Sequence, residues 1–136
     1  MRILITDDDD ICARLLSAML KPYGTCTTAG HGVAAIQAFT AALLRKEPFD
    51  LLCLDIQMPE LDGYALLHCL RAIEAGFGRT GRAAATILMV TNRNDPKSVF
   101  AAFRGQCEGY IIKPLDRSQL IAQLEELGIQ PQPAAV

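Results

Sequence analysis

Two hydrophobic rhythms alternate along the chain. "RILIT" (2–6) is a short apolar run rich in branched residues, which predicts a buried strand. "DICARLLSAMLK" (10–21) repeats apolar residues at helical spacing, with Ile11, Leu15 and Met19 on one stripe, and Pro22 and Gly24 stop it. "GTCTTA" (24–29) is a weaker, threonine-rich strand. "VAAIQAFTAALLRK" (33–46) is helical and Pro48 closes it. "DLLCLD" (50–55) is an apolar strand ending in a carboxylate, and "LDGYALLHCLRAIEA" (61–75) is a helix with Leu66, Leu70 and Ile73 in register. "TILMVT" (86–91) is again a buried strand. Asp95 reads as an N-cap with Pro96 at the first helical position, opening a helix to about Arg104. "GYII" (109–112) is the last strand. Asp116 with Gln119 resembles a capping box for a final helix over 117–127.

Strand followed by helix, five times over, predicts an α/β fold with a parallel sheet covered on both faces. Right-handed crossovers restrict the topology, and one common solution is the flavodoxin-like (βα)5 order 2-1-3-4-5. That architecture gathers the carboxyl ends of all strands on one edge. Asp7 and Asp8 follow the first strand, Asp55 ends the third, Thr91 ends the fourth and Lys113 follows the fifth. Three carboxylates, a hydroxyl and an ammonium suit a hard divalent cation beside a tetrahedral oxyanion. Each of these residues has a duller explanation as a cap or loop residue, but together they define one shared site.

The stretch "ITDDDD" (5–10) sharpens the argument. Like charges at about 4 Å repel by roughly 4 kcal/mol at an effective dielectric near 20, so something must offset them. Four consecutive helix caps are implausible. Asp9 and Asp10 are expected to start the helix, which leaves Asp7 and Asp8 for the site.

At 136 residues and 51% hydrophobic, the chain is long enough for one domain with a sizeable core. We expect that domain over 1–129 and a frayed tail over 130–136. The net charge of −2 and the lack of a basic block argue against nucleic-acid binding. No apolar run is long enough to span a bilayer and no secretory signal opens the chain, so a cytoplasmic location is expected. The five cysteines read as buried free thiols in a reducing compartment, supporting neither a zinc site nor a disulfide framework. "GFGRTG" (76–81) spells G-x-G-x-x-G but follows a helix and precedes a strand, the reverse of a dinucleotide site. It reads as a flexible loop whose Arg79, with Arg82 just beyond, is either solvated or turned to a partner. His31 and His68 are assigned no chemistry.

The stretches "ILITDDD", "LLCLDIQMPELDGYALL", "TILMVT" and "GYIIKP" resemble the response-regulator receiver domains, the CheY-like family of two-component signalling. The resemblance runs from Arg2 to about Gly128, and its most specific part is Asp-x-x-Met-Pro-x-x-Asp-Gly from Asp55 to Gly63. It implies that Asp55 accepts a phosphoryl group from a phosphohistidine. The donor would be a sensor histidine kinase or a histidine phosphotransfer protein. It implies Mg²⁺ held by Asp7, Asp8, Asp55 and the backbone carbonyl of Gln57. Lys113 would pair with the phosphoryl group and the Thr91 hydroxyl would bond it. Tyr110 would be the aromatic that switches, and Lys113–Pro114 a cis peptide. The expected product is a phosphoprotein that assists its own modification without being a turnover enzyme. It would be a monomer or weak dimer, and would signal by docking an unknown protein target through its last two helices, not by binding DNA. Two rivals are a Mg²⁺-dependent phosphatase with an aspartyl intermediate and a phosphate-independent module that keeps only the fold. The first resembles a motif with a second Asp two residues after the nucleophile, where this chain has Gln57. Thr6, Gln57, Asn92, Arg93 and Gln106 occupy places where the chain departs from the family's usual residues or where the family varies.

Overall fold

The computed structural model describes residues 1–133. Five parallel strands, β1 (Arg2–Thr6), β2 (Thr25–Ala29), β3 (Leu51–Leu54), β4 (Thr86–Thr91) and β5 (Gly109–Ile112), form one sheet in the order β2-β1-β3-β4-β5. Helices α1 (Asp10–Leu20), α2 (Gly32–Leu44), α3 (Gly63–Gly76), α4 (Pro96–Arg104) and α5 (Arg117–Glu126) make the connections. This is the expected flavodoxin-like arrangement.

The inner strands β1, β3 and β4 are buried almost throughout because both of their faces are covered. Leu4, Leu52, Leu54, Ile87 and Met89 pack against Ala35, Phe39, Leu66, Leu67 and Leu70 of α2 and α3. Ile3, Ile5, Cys53, Leu88, Val90 and Ile111 pack on the other face against Leu16 and Leu20 of α1 and Leu120 and Leu124 of α5. Each such side chain, fully buried, contributes about 1.5–3 kcal/mol. β2 is an edge strand and largely exposed, which explains why its threonines give a weak apolar signal.

Helix α1 corrects the sequence reading. Its core side is Ala13, Leu16 and Leu20, whereas Ile11 and Leu15 are 78% and 46% exposed. The helix carries two adjacent apolar stripes, and the sheet takes the second. Two further adjustments are local. Asp62 caps α3 by accepting from Ala65 N–H, so the helix starts at Gly63 and not at Leu61. Asp116 caps α5 through Ser118 N–H, and the return bond from Gln119 that a capping box needs is not among the hydrogen bonds of the described residues. A single 3-10 turn at Gly81–Ala83 interrupts the loop after α3.

Three cysteines, Cys12, Cys26 and Cys69, are half-buried, while Cys53 and Cys107 are buried, and all five are free thiols. His31 is the N-cap of α2, its Nδ1 accepting from Ala34 N–H at 3.2 Å. The expected tail is in neither helix nor strand as far as Pro133, and Gln132 N–H donates to the Pro22 carbonyl at 2.9 Å. Residues 134–136 of that tail lie outside the described residues.

Candidate functional site: an acid pocket at the carboxyl edge of the sheet

The run of four aspartates divides between two tasks. Asp7 is 4% exposed, and its Oδ1 accepts from Asp9 N–H at 2.9 Å. Asp9 is the N-cap of α1, its Oδ1 accepting from Ile11 and Cys12 N–H, and Asp10 stands in the first turn, where the helix dipole favours a negative charge. Asp8 is exposed at the pocket mouth.

β3 delivers the third carboxylate. Asp55 N–H extends the parallel ladder by donating to Thr6 C=O at 3.0 Å, and the residue is 4% exposed. Its Oδ1 accepts from Gln57 N–H at 3.1 Å. The loop then returns so tightly that a Cβ on Gly63 would meet the Asp55 carbonyl and lie 2.6 Å from Ile56 Cα. Only glycine lets α3 start there without pushing Asp55.

From the far side Lys113 reaches in. Its Nζ donates to Asp7 Oδ2 at 2.8 Å and to Asp55 Oδ2 at 3.1 Å, with only 10% of the side chain exposed. The Lys113–Pro114 bond is cis, as expected. Burial pushes the Asp55 carboxyl above its usual range, and the nearby Asp7 charge adds to this, against the opposing pull of Gln57 N–H and Lys113. For Lys113 burial works against the ammonium, but the bonds and charges of Asp7 and Asp55 prevail and its pKa rises. Cys12 lies beside Asp7, and burial first, then Asp7, raises its thiol to about 11, so it stays protonated. The sequence reading had no reason to place that thiol at the site.

One carboxylate oxygen from each of Asp7, Asp8 and Asp55 lies within 4.8 Å of the other two. Hard divalent ions take such all-oxygen sets at about 2.0–2.6 Å, so the donor set fits one. Gln57 meets Asp55 through its N–H.

Thr91 and Tyr110 do not join that cluster directly. Thr91 is fully buried, and its Oγ1 accepts from Arg93 N–H at 3.3 Å. The Tyr110 hydroxyl donates to Arg93 C=O at 2.7 Å. Burial raises that phenol to about 12, so it remains a donor. The backbone of Arg93 is thus held from both sides. Tyr64 extends the arrangement by donating to Ser98 C=O at 2.9 Å, tying α3 to α4. Sequence reasoning missed both backbone tethers because a main-chain partner leaves no residue-type signature.

The family described as "Response regulator receiver domain" matches residues 3–125. The chain belongs to that family. It is 29% identical over 127 residues to the transcriptional regulatory protein AruR of Pseudomonas aeruginosa, covering 93% of this chain and 48% of AruR. It is 35% identical over 124 residues to the two-component response regulator ARR10 of Arabidopsis thaliana, covering 88% of this chain and 20% of ARR10. The receiver chain thus spans about half or less of the length of these relatives. Among solved structures, the receiver domain of the Arabidopsis thaliana histidine kinase CKI1, complexed with Mg²⁺ and BeF3⁻, superposes with a TM-score of 0.79 at 25% identity, covering 93% of this chain and 89% of that one. The CheX–CheY–BeF3–Mg²⁺ complex of Borrelia burgdorferi gives a TM-score of 0.81 at 21% identity, with 96% and 90% covered, which is a likeness of fold. The protein is therefore a receiver domain of the two-component response-regulator type, with a CheY-like fold. No helix among the described residues is long and apolar enough to cross a membrane.

Proposed function

We propose that this receiver accepts a phosphoryl group on Asp55 from a phosphohistidine of a sensor histidine kinase or histidine phosphotransfer protein. The observation that carries the proposal is the convergence of Asp7, Asp8, Asp55 and Lys113 from three strand ends into one pocket. An Asp55 oxygen attacks phosphorus, the phosphorus–nitrogen bond breaks, and its electron pair returns to the donor imidazole. Lys113 follows the charge onto the transferred group, and Thr91 supplies a hydroxyl to one of its oxygens, so catalysis is electrostatics and positioning. Asp7, Asp8, Asp55 and the Gln57 carbonyl would hold Mg²⁺. When bound, that ion would neutralise charge on the carboxylates and on the phosphoryl oxygens.

Once Asp55 is modified, the new acceptor oxygens take the Thr91 O–H as donor, and turning the hydroxyl toward them draws its Oγ1 away from Arg93 N–H. Loss of that turn removes one of the two holds on the loop, and when the Tyr110 hydroxyl also leaves Arg93 C=O the surface of α4 and α5 changes for a downstream protein partner. In this reading the domain assists its own phosphorylation and dephosphorylation without steady turnover, works in the cytoplasm as a monomer or weak dimer, and does not itself contact DNA.

Intact-mass analysis after incubation with acetyl phosphate and Mg²⁺ tests the proposal. One added HPO3 in the wild type and none in Asp55→Ala is expected. An unmodified wild type would favour the phosphate-independent module. Steady release of phosphate from a monoester, lost in Asp55→Asn, would favour the phosphatase.

A further inference from the structure

We infer that the end of the molecule opposite the acid pocket is a docking site for an acidic peptide segment of a partner protein, anchored by apolar side chains. The helices run back against the strands, so α2 and α3 finish at the amino ends of the sheet. There Leu44 and Phe77 are 68% and 45% exposed. They line a cleft of about 360 Å³ together with Leu43, Pro48, Lys46 and Arg79. A cleft of that size is near the lower end of the roughly 300–1,000 Å³ of ordinary binding pockets, room for side-chain anchors and not for a domain.

The rim is positive, and the positive charge is uncompensated. Lys46 and Arg79 line the cleft, with the exposed Arg45 and Arg82 near them in sequence. Among the described residues none of these four takes part in an ion pair. The carboxylates of the same segments are already engaged. Glu47 pairs with Arg2, and Asp50 accepts from Arg2 N–H. Glu74 binds Arg71 and Ala85 N–H, while Glu108 binds Arg71 and Ile87 N–H. Helix dipoles give a local reason for cations at the end of α2, namely Arg45 and Lys46. They give none for Arg79 and Arg82, which lie beyond α3, nor for two large apolar side chains left in water. Apolar anchors surrounded by unpaired cations match an acidic segment with apolar residues interspersed.

Selection of random dodecapeptides on the full chain tests this, with counter-selection on the double variant Leu44→Ser/Phe77→Ser. Both side chains are at the surface, and thermal melts with phosphoryl uptake at Asp55 check that each variant folds. The expected winners carry several Asp or Glu around Leu, Ile or Phe. Their synthetic versions should lose at least about tenfold in affinity on Phe77→Ser, and similarly on Arg79→Glu/Arg82→Glu. Binding should also weaken with added salt. Failure to enrich peptides above the variant, winners without acids, or winners indifferent to both substitutions would overturn the inference. So would binding of labelled single-stranded oligonucleotides or phosphatidylserine vesicles, lost on Arg79→Glu/Arg82→Glu, when no acidic peptide is selected.

Discussion

Lys113 serves as the internal counterion of the acid pocket, and its removal has a calculable cost. In Lys113→Met the stem is roughly preserved and the ammonium is lost. That strands Asp7 and Asp55, whose side chains are 3% and 5% exposed, without the partner now 2.8 and 3.1 Å away. Breaking a buried ion pair by deleting one member costs about 3–5 kcal/mol. Asp55 is already biased toward its neutral form by burial, so it can take up a proton and cap the loss near the lower figure. About 3 kcal/mol corresponds to roughly 10 °C in Tm for a domain of this size. The assay is thermal unfolding in chelator at neutral pH, for the wild type, Lys113→Met, Asp55→Asn and the double variant. The cycle should show positive coupling of more than about 1 kcal/mol, because Asp55→Asn removes one of the stranded charges. Mg²⁺ should then stabilise Lys113→Met more than the wild type, since the ion no longer meets a competing ammonium. At a hundredfold excess over its dissociation constant, Mg²⁺ stabilises by about 2.7 kcal/mol in either protein, so the two titrations are compared at equal concentration. If Lys113→Met melts with the wild type in chelator and Asp55→Asn rescues nothing, the counterion argument fails.

Three further outcomes are expected. Thr6 is 1% exposed and its Oγ1 has no hydrogen-bond partner, so Thr6→Val should stabilise by about 1–2 kcal/mol, and a lower Tm would refute this. Gly63→Ala should cost about 1–3 kcal/mol and slow phosphoryl uptake, because the new methyl must displace Ile56 or the Asp55 carbonyl; unchanged stability and uptake would count against it. The third concerns pH. A carboxyl whose folded pKa is raised contributes stability below its unfolded value, and that contribution is lost as pH rises through the folded value. In chelator, Asp55→Asn should therefore gain on the wild type as pH rises above the usual carboxylate range, whereas a constant or shrinking difference in Tm would contradict the sign.

Strands buried on both faces were legible because such strands are apolar runs, and "DLLCLD" ending in a carboxylate marks both a strand and its functional edge. The division of "DDDD" was legible too, since a helix accepts only one or two acids at its start. The packed side of α1 was not, because Ile11, Leu15, Leu16 and Leu20 offer two stripes of similar strength and only the approach to the sheet chooses. The network of Arg71 was legible only in its i,i+3 pair with Glu74 on α3: Glu108 and the main chain of Ala85 join from the segments before β5 and β4, which no sequence spacing links to that helix. Cys12 at the pocket was hidden for a related reason, as an apolar context says nothing about which polar neighbour a thiol meets.

The double hold on Arg93 makes the loop after β4 behave as a latch with two bolts. Thr91 secures its amide and Tyr110 its carbonyl, each through a different strand. Drawing one bolt leaves the peptide restrained by the other, so the loop opens fully only when both are withdrawn. A partner that read this loop would thereby sample two neighbouring strands at once.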